Sequence, residues 1–148
     1  MQMIDLENQT DLPIDRNMLE KIAQSLTGKN LELIITSNKS IQELNLKYRG
    51  KDKPTDVLSF PVNLAFKESS MFNMPLGSIV ISADFVKEKS TEHKHSIDDE
   101  LSLLFIHGML HLLGYDHEKD EDEMRVREKE IIEEFNLPSS LILRTENE

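Results

Sequence analysis

The sequence contains no cysteine and no tryptophan, and it has only five glycines and five prolines in 148 residues. Without cysteine there are no disulfide bonds, no thiolate metal ligands and no cysteine nucleophile, so a transition-metal site would have to use histidine. No apolar run approaches the ~20 residues of a membrane span, and the first residues lack the charged and apolar regions of a signal peptide. We therefore expect a cytoplasmic protein without a membrane partner.

Charge is unevenly distributed along the chain. The net charge of −11 at face value argues against a polyanionic partner. Residues 118–148 hold eleven acidic and five basic residues, whereas the segment KYRGKDK at 47–53 holds four basic residues and one acidic residue. We call Lys47, Arg49, Lys51 and Lys53 the basic strip, and we expect phosphate groups to bind there despite the acidic total.

The length fits one domain over residues 1–148, with residues 136–148 as a loose tail. Hydrophobic periodicity and turn residues predict a small mixed sheet of about four strands packed with helices, an α+β fold. Strands are predicted at 2–6, 31–37, 56–62 and 77–82, and helices at 14–26, 40–48, 83–89, 97–113 and 120–135. The segment 97–113 is apolar almost all round and is therefore predicted to be the buried central helix. The long connection at 63–75 has a length that is usually functional or disordered.

Three of the five histidines lie in the segment HGMLHLLGYDH at 107–117. His107 and His111 are about 40° apart around a helix, so both imidazoles leave the same face one turn apart. Gly114 can end the helix at positive φ and let the chain fold back, which would bring His117 to the pair. Three histidine nitrogens on one divalent ion leave a fourth position open, as in catalytic zinc sites. The alternative is two core histidines satisfied by carbonyls, but each would then be desolvated without a shared partner.

The spacing also matches the zincin string H-E-x-x-H-x-x-G-x-x-H at all three histidines and at Gly114. One position differs. Where those proteases have the glutamate that acts as general base, this chain has Gly108, which has no side chain to accept a proton. Peptide hydrolysis by that mechanism is therefore disfavoured.

The histidine segment, together with NLKYRGKDKPTDVLSFP at 45–61, resembles the YbeY-type endoribonuclease family of bacterial rRNA maturation factors. The resemblance implies an α+β fold and a cytoplasmic, zinc-dependent, single-strand-specific endoribonuclease that acts in processing of the small-subunit rRNA 3′ end and in ribosome quality control. It assigns the three metal ligands to His107, His111 and His117 and the functional arginine to Arg49. One departure is Ser78, where the family commonly has aspartate.

Resemblance and chemistry together give a set of candidate roles. One zinc ion per chain would activate water and polarise a phosphoryl oxygen, although imidazole ligands also suit other divalent transition metals. Arg49 would offer a planar donor to the phosphate, which makes it a catalytic candidate with the three histidines. Lys47, Lys51 and Lys53 would contact the RNA backbone with Arg49. Asp116 either orients a ligand imidazole from behind or caps the following turn.

Several alternatives remain open at this point. Glu100 either reaches the site or interacts with the helix dipole, and His93 and His95 are expected to be solvated. The expected partners are single-stranded RNA, above all rRNA, and the small ribosomal subunit or an associated protein, with no DNA. The competing functions are a metallopeptidase-like hydrolase and a non-catalytic, zinc-stabilised ribosome assembly factor. Water and the RNA 2′-hydroxyl are both open as the nucleophile.

Overall fold

A four-stranded mixed sheet organises the structure, a computed structural model that describes residues 3–62, 75–115, 121–138 and 141. The strands are β1 (Ile4–Asn8), β2 (Leu31–Thr36), β3 (Val57–Pro61) and β4 (Gly77–Ser82), in the order β1-β2-β4-β3. β1, β2 and β4 are parallel, and β3 pairs antiparallel with β4. The predicted α+β fold with about four strands is confirmed.

Five helices pack on this sheet within the described ranges: α1 (Arg16–Leu26), α2 (Asn38–Arg49), α3 (Ala83–Glu92), α4 (Ile97–Leu112) and α5 (Glu121–Glu134). Side chains cap the N-termini of several of these helices. Ser96 accepts a hydrogen bond from the backbone N–H of Asp99 at the start of α4, and Ser37 caps α2 in the same way. Because Ser37 is the cap, α2 begins two residues before the predicted start. None of these helices is long and apolar enough to cross a membrane.

The two faces of the sheet carry different helices. Alternate strand residues such as Leu33, Ile79 and Ile81 belong to the main core with α1 and α4, whereas Val80 and Leu58 pack against α2 on the other face. Most of α4 is buried, which confirms its prediction as the central helix. The buried residues of α2 and of α4 therefore pack on opposite faces of the sheet.

Two segments are predicted to be irregular, the tail at 136–148 and the connection at 63–75. The predicted loose tail is wrong for Leu137 and Leu141, because Leu137 packs against the main core and Leu141 is fully buried in it. Residues 139–140 and 142–148 lie outside the described residues. Residues 63–74 of the predicted long connection also lie outside them.

Candidate metal centre

His107 and His111 point their Nε2 atoms at each other, 3.2 Å apart. Both residues are on α4, one turn apart as predicted, and their ring centroids are separated by 4.8 Å. A tetrahedral ion with Zn–N bonds of about 2.0–2.1 Å would hold two ligand nitrogens ~3.3 Å apart. The separation of the two imidazoles therefore fits two ligands of one ion.

The outer nitrogens of both rings contact acceptors. His111 Nδ1 is 3.1 Å from the carbonyl oxygen of Tyr115, and His107 Nδ1 is 3.1 Å from Oε1 of Glu128. A carbonyl oxygen can only accept, so the His111 ring donates its Nδ1–H to Tyr115. The His107 ring donates its own Nδ1–H in the same way if Glu128 is ionised. In neutral rings both Nε2 atoms then carry a lone pair, and two lone pairs at this distance repel unless a proton or cation lies between them. The donor set therefore fits a divalent ion at the Nε2 atoms, with partners of the usual kind behind each ligand.

The glycine bend after α4 forms as predicted. Gly114 has φ of 101°, its N–H donates to the His111 carbonyl, and the Tyr115 N–H donates to the Leu110 carbonyl. This pair of bonds is a Schellman motif, which satisfies the last carbonyls of the helix. The bend also brings the Tyr115 carbonyl to His111. Gly114 thus helps to orient an imidazole as well as to end the helix.

The third predicted ligand, His117, and the candidate behind it, Asp116, lie outside the described residues. In the part of the chain that the structure does describe, no group of three histidine, cysteine or acidic side chains is arranged to hold a metal ion. A three-histidine site therefore stays a prediction, carried by two observed imidazoles and by the position of Gly114.

Gly108 lies against the sheet, where a side chain does not fit. A Cβ atom there would be 2.9 Å from Cγ2 of Ile79, and the Ser59 hydroxyl donates to the Gly108 carbonyl at 3.1 Å. The position at which zincins have their glutamate base is therefore occupied by a close contact between helix and sheet. A metallopeptidase would need a base from another element.

The basic strip is exposed, but it does not meet the histidines. Arg49 ends α2, and Gly50 follows it in the left-handed conformation with φ of 70°. Within residues 3–62, 75–115, 121–138 and 141, Arg49 forms no hydrogen bond, ion pair or ring contact with His107 or His111, and the buried residues of α2 pack on the other face of the sheet. Its catalytic role therefore stays a prediction.

An exposed aromatic lies within the basic strip. Tyr48 is 58% exposed, Lys47 Nζ lies 5.2 Å from the centre of its ring, and the ring makes a T-shaped contact with Phe60 at a centroid distance of 5.2 Å. Aromatic faces beside cationic side chains are typical surfaces for unpaired bases. Sequence reasoning identified the charges here and missed this ring.

Two other predictions are corrected or refined by the structure. His95 was expected to be solvated, but its side chain is 3% exposed and its Nε2 is 2.7 Å from Oε1 of the fully buried Glu100. The prediction is therefore wrong for His95.

Ser78 donates to the Glu32 carboxylate of β2 at 2.8 Å, so a carboxylate from the neighbouring strand lies beside the position where the family commonly has aspartate.

Glu128 is the residue of the site that sequence reasoning missed. On α5, Met124 and Ile131 are buried core residues, and Glu128 comes four residues after the first and three before the second. A carboxylate at an inward position of an amphipathic helix is a signal that it has a specific partner.

The fold and the site together define a single α+β domain with a candidate histidine metal centre on its buried helix. The family model for endoribonuclease YbeY matches residues 5–136, and the chain belongs to that family. The resemblance drawn from the two motifs is thereby confirmed.

Individual relatives agree with this assignment. The chain is 64% identical over 144 residues to endoribonuclease YbeY of a Sulfurovum species, covering 97% of this chain and 98% of the relative. It is 60% identical over 143 residues to endoribonuclease YbeY of Aliarcobacter butzleri, covering 96% and 99%. The solution structure of TM1509 from Thermotoga maritima matches with a TM-score of 0.60 and 31% identity over 90% of this chain and 89% of that one.

Proposed function

We propose that this chain is a zinc-dependent endoribonuclease that cleaves single-stranded RNA. Family membership supports the endoribonuclease activity. The observation that supports a metal site is the pair of Nε2 atoms 3.2 Å apart, each on a ring whose Nδ1 contacts an acceptor. His107 and His111 would hold the ion, with His117 as the third ligand.

A divalent ion held by His107 and His111 would supply Lewis acidity for activating water and polarising a phosphoryl oxygen. The chain's own groups then have distinct tasks. The basic strip binds the RNA backbone, and Arg49 offers its planar guanidinium to a phosphate whose negative charge grows during cleavage. Gly108 contributes no base, so the glutamate-assisted hydrolysis of zincins is not the chemistry that this helix supports.

We further propose that the enzyme acts in small-subunit rRNA 3′ end processing and in ribosome quality control, in the cytoplasm. Exposed acidic residues cover α5, among them Asp122, Glu123, Glu130 and Glu133. Such a surface repels free RNA. Productive cleavage therefore depends on the small ribosomal subunit or an associated protein that presents an unpaired segment.

The test is cleavage of a short unpaired RNA by purified protein, beside the same sequence in a duplex and beside an unfolded protein substrate. His111→Ala should lose bound zinc and RNA cleavage, whereas His93→Ala, a matched histidine change outside the site, should retain both. Cleavage by His111→Ala at the wild-type rate would refute the proposal. Cleavage of the unfolded protein would instead support a metallopeptidase.

A charge reversal separates catalysis from a purely structural role in ribosome assembly. Arg49→Glu should abolish rRNA processing in cells while the fold and the bound zinc are preserved. Lys21→Glu reverses an exposed charge on α1 and serves as the control. Normal processing by Arg49→Glu would favour the zinc-stabilised assembly factor.

A further inference from the structure

Glu128 is a buried acidic residue on a helix whose other acidic residues are largely exposed. It is 1% exposed, whereas Glu130 and Glu133 on the same helix are exposed to solvent. Removing a carboxylate from water costs several kcal/mol unless it is paired and hydrogen-bonded. The buried carboxyl group of Glu128 therefore needs a hydrogen-bonding partner that compensates for the lost solvation.

The contacts identify that partner as His107. Oε1 of Glu128 lies 3.1 Å from His107 Nδ1, while Oε2 is buried and has no hydrogen-bond partner within the described residues. If Glu128 is a carboxylate, it can only accept, and His107 then donates the proton from Nδ1. The Nε2 atom, which faces His111, is then the one with the free lone pair.

We infer that Glu128 is a positioning residue for the metal centre: it holds His107 in the Nδ1–H tautomer and makes its Nε2 a stronger metal donor. The inference rests on the proposed zinc site. The His111 Nδ1 contacts the neutral backbone carbonyl of Tyr115 rather than a carboxylate, so we expect His107 to be the stronger of the two ligands. Because Glu128 lies on α5, zinc binding also depends on the docking of α5 against α4.

The chain contains a matched control. Glu100 is a second fully buried glutamate paired with a histidine, His95, and it lies in the same fold. Glu128→Gln and Glu100→Gln therefore both neutralise a buried glutamate beside an imidazole. Only the first faces a proposed metal ligand.

The experiment measures zinc affinity by competition with a chromophoric chelator, without RNA, together with free energies of unfolding. Partners of this kind typically contribute 10–100-fold to metal affinity. We expect zinc affinity to fall 10–100-fold in Glu128→Gln and to stay within about twofold of wild type in Glu100→Gln. Unchanged affinity in Glu128→Gln, or an equal fall in both variants, overturns the inference.

A second measurement needs no variant and decides the matter even if Glu128→Gln fails to fold. Long-range ¹H–¹⁵N spectra of the metal-free wild-type protein at about pH 8.5, where an ordinary imidazole is neutral, report which nitrogen carries the proton. We expect the Nδ1–H form for His107. The Nε2–H form would overturn the inference. RNA cleavage is scored separately, so a protein that shows the zinc and tautomer results without cleaving RNA refutes the nuclease and leaves Glu128 as assigned.

Discussion

Gly108 tests how closely α4 must approach the sheet. In Gly108→Ala the new Cβ lies 2.9 Å from Cγ2 of Ile79, with Cδ1 and Cγ1 of the same side chain at 3.2 and 3.3 Å. Overpacking of this kind costs about 1–3 kcal/mol, and the better helix propensity of alanine offsets about 1 kcal/mol. We expect Gly108→Ala to destabilise the protein by up to about 2 kcal/mol.

The sign of the effect should reverse when the opposing side chain is removed. In the Ile79→Ala background the crowding atoms are gone, so Gly108→Ala should stabilise by about 1 kcal/mol through propensity alone. The two backgrounds should differ by about 1–3 kcal/mol, which is the cost of the contact itself. Ile79→Val keeps a γ carbon and serves as the control, in which Gly108→Ala should still not stabilise.

Equilibrium urea unfolding, followed by circular dichroism, gives all the required free energies. Equal stabilisation of the wild-type and Ile79→Ala backgrounds by Gly108→Ala would contradict the close contact between Gly108 and Ile79. That result would mean that the helix has room for a side chain at this position. The structural explanation for the missing glutamate base would then fail as well.

Four further outcomes follow from the structure. Gly77→Ala should destabilise by about 3 kcal/mol or more, because φ is 151° and a Cβ would lie 2.5 Å from the Phe60 carbonyl oxygen, and a lowered urea midpoint checks this. Ser96→Ala should cost about 1 kcal/mol through loss of the α4 cap, measured as a lower Tm. Lys51→Ala should reduce the slope of log K for RNA against log salt by about 0.7, and a flat salt response in the wild type would remove the basic strip from RNA binding. Zinc at 100 times its Kd should stabilise the wild type by about 2.7 kcal/mol, and no such shift should occur in His111→Ala.

Much of the fold could be predicted from local signals. β4 was predicted with its observed bounds, and α4 begins at the predicted residue 97, where the Ser96 cap is a contact between neighbours in sequence. The pairing of His107 with His111 follows equally from helix geometry. Each of these features depends on residues only a few positions apart.

Contacts between distant elements could not be predicted in this way. His95 contacts Glu100 only five positions away, but the burial of both side chains depends on the core packed around them, and the contact of Glu128 with His107 spans 21 positions and depends on how α5 docks. Likewise, four basic residues in a row of seven predict a charged surface, but the strand order decides which face of the sheet receives it. Tertiary packing settles all three.

The separation of α2 from α4 by the sheet has a mechanical consequence. On the proposed function, an RNA molecule that binds along α2 and also reaches the histidine pair on α4 would pass the sheet at its edge strand β3. An unpaired chain makes such a turn easily, because its backbone bends within a few nucleotides. A double helix resists curvature over tens of base pairs. On the proposed function, the sheet between α2 and α4 would therefore favour an unpaired RNA over a duplex.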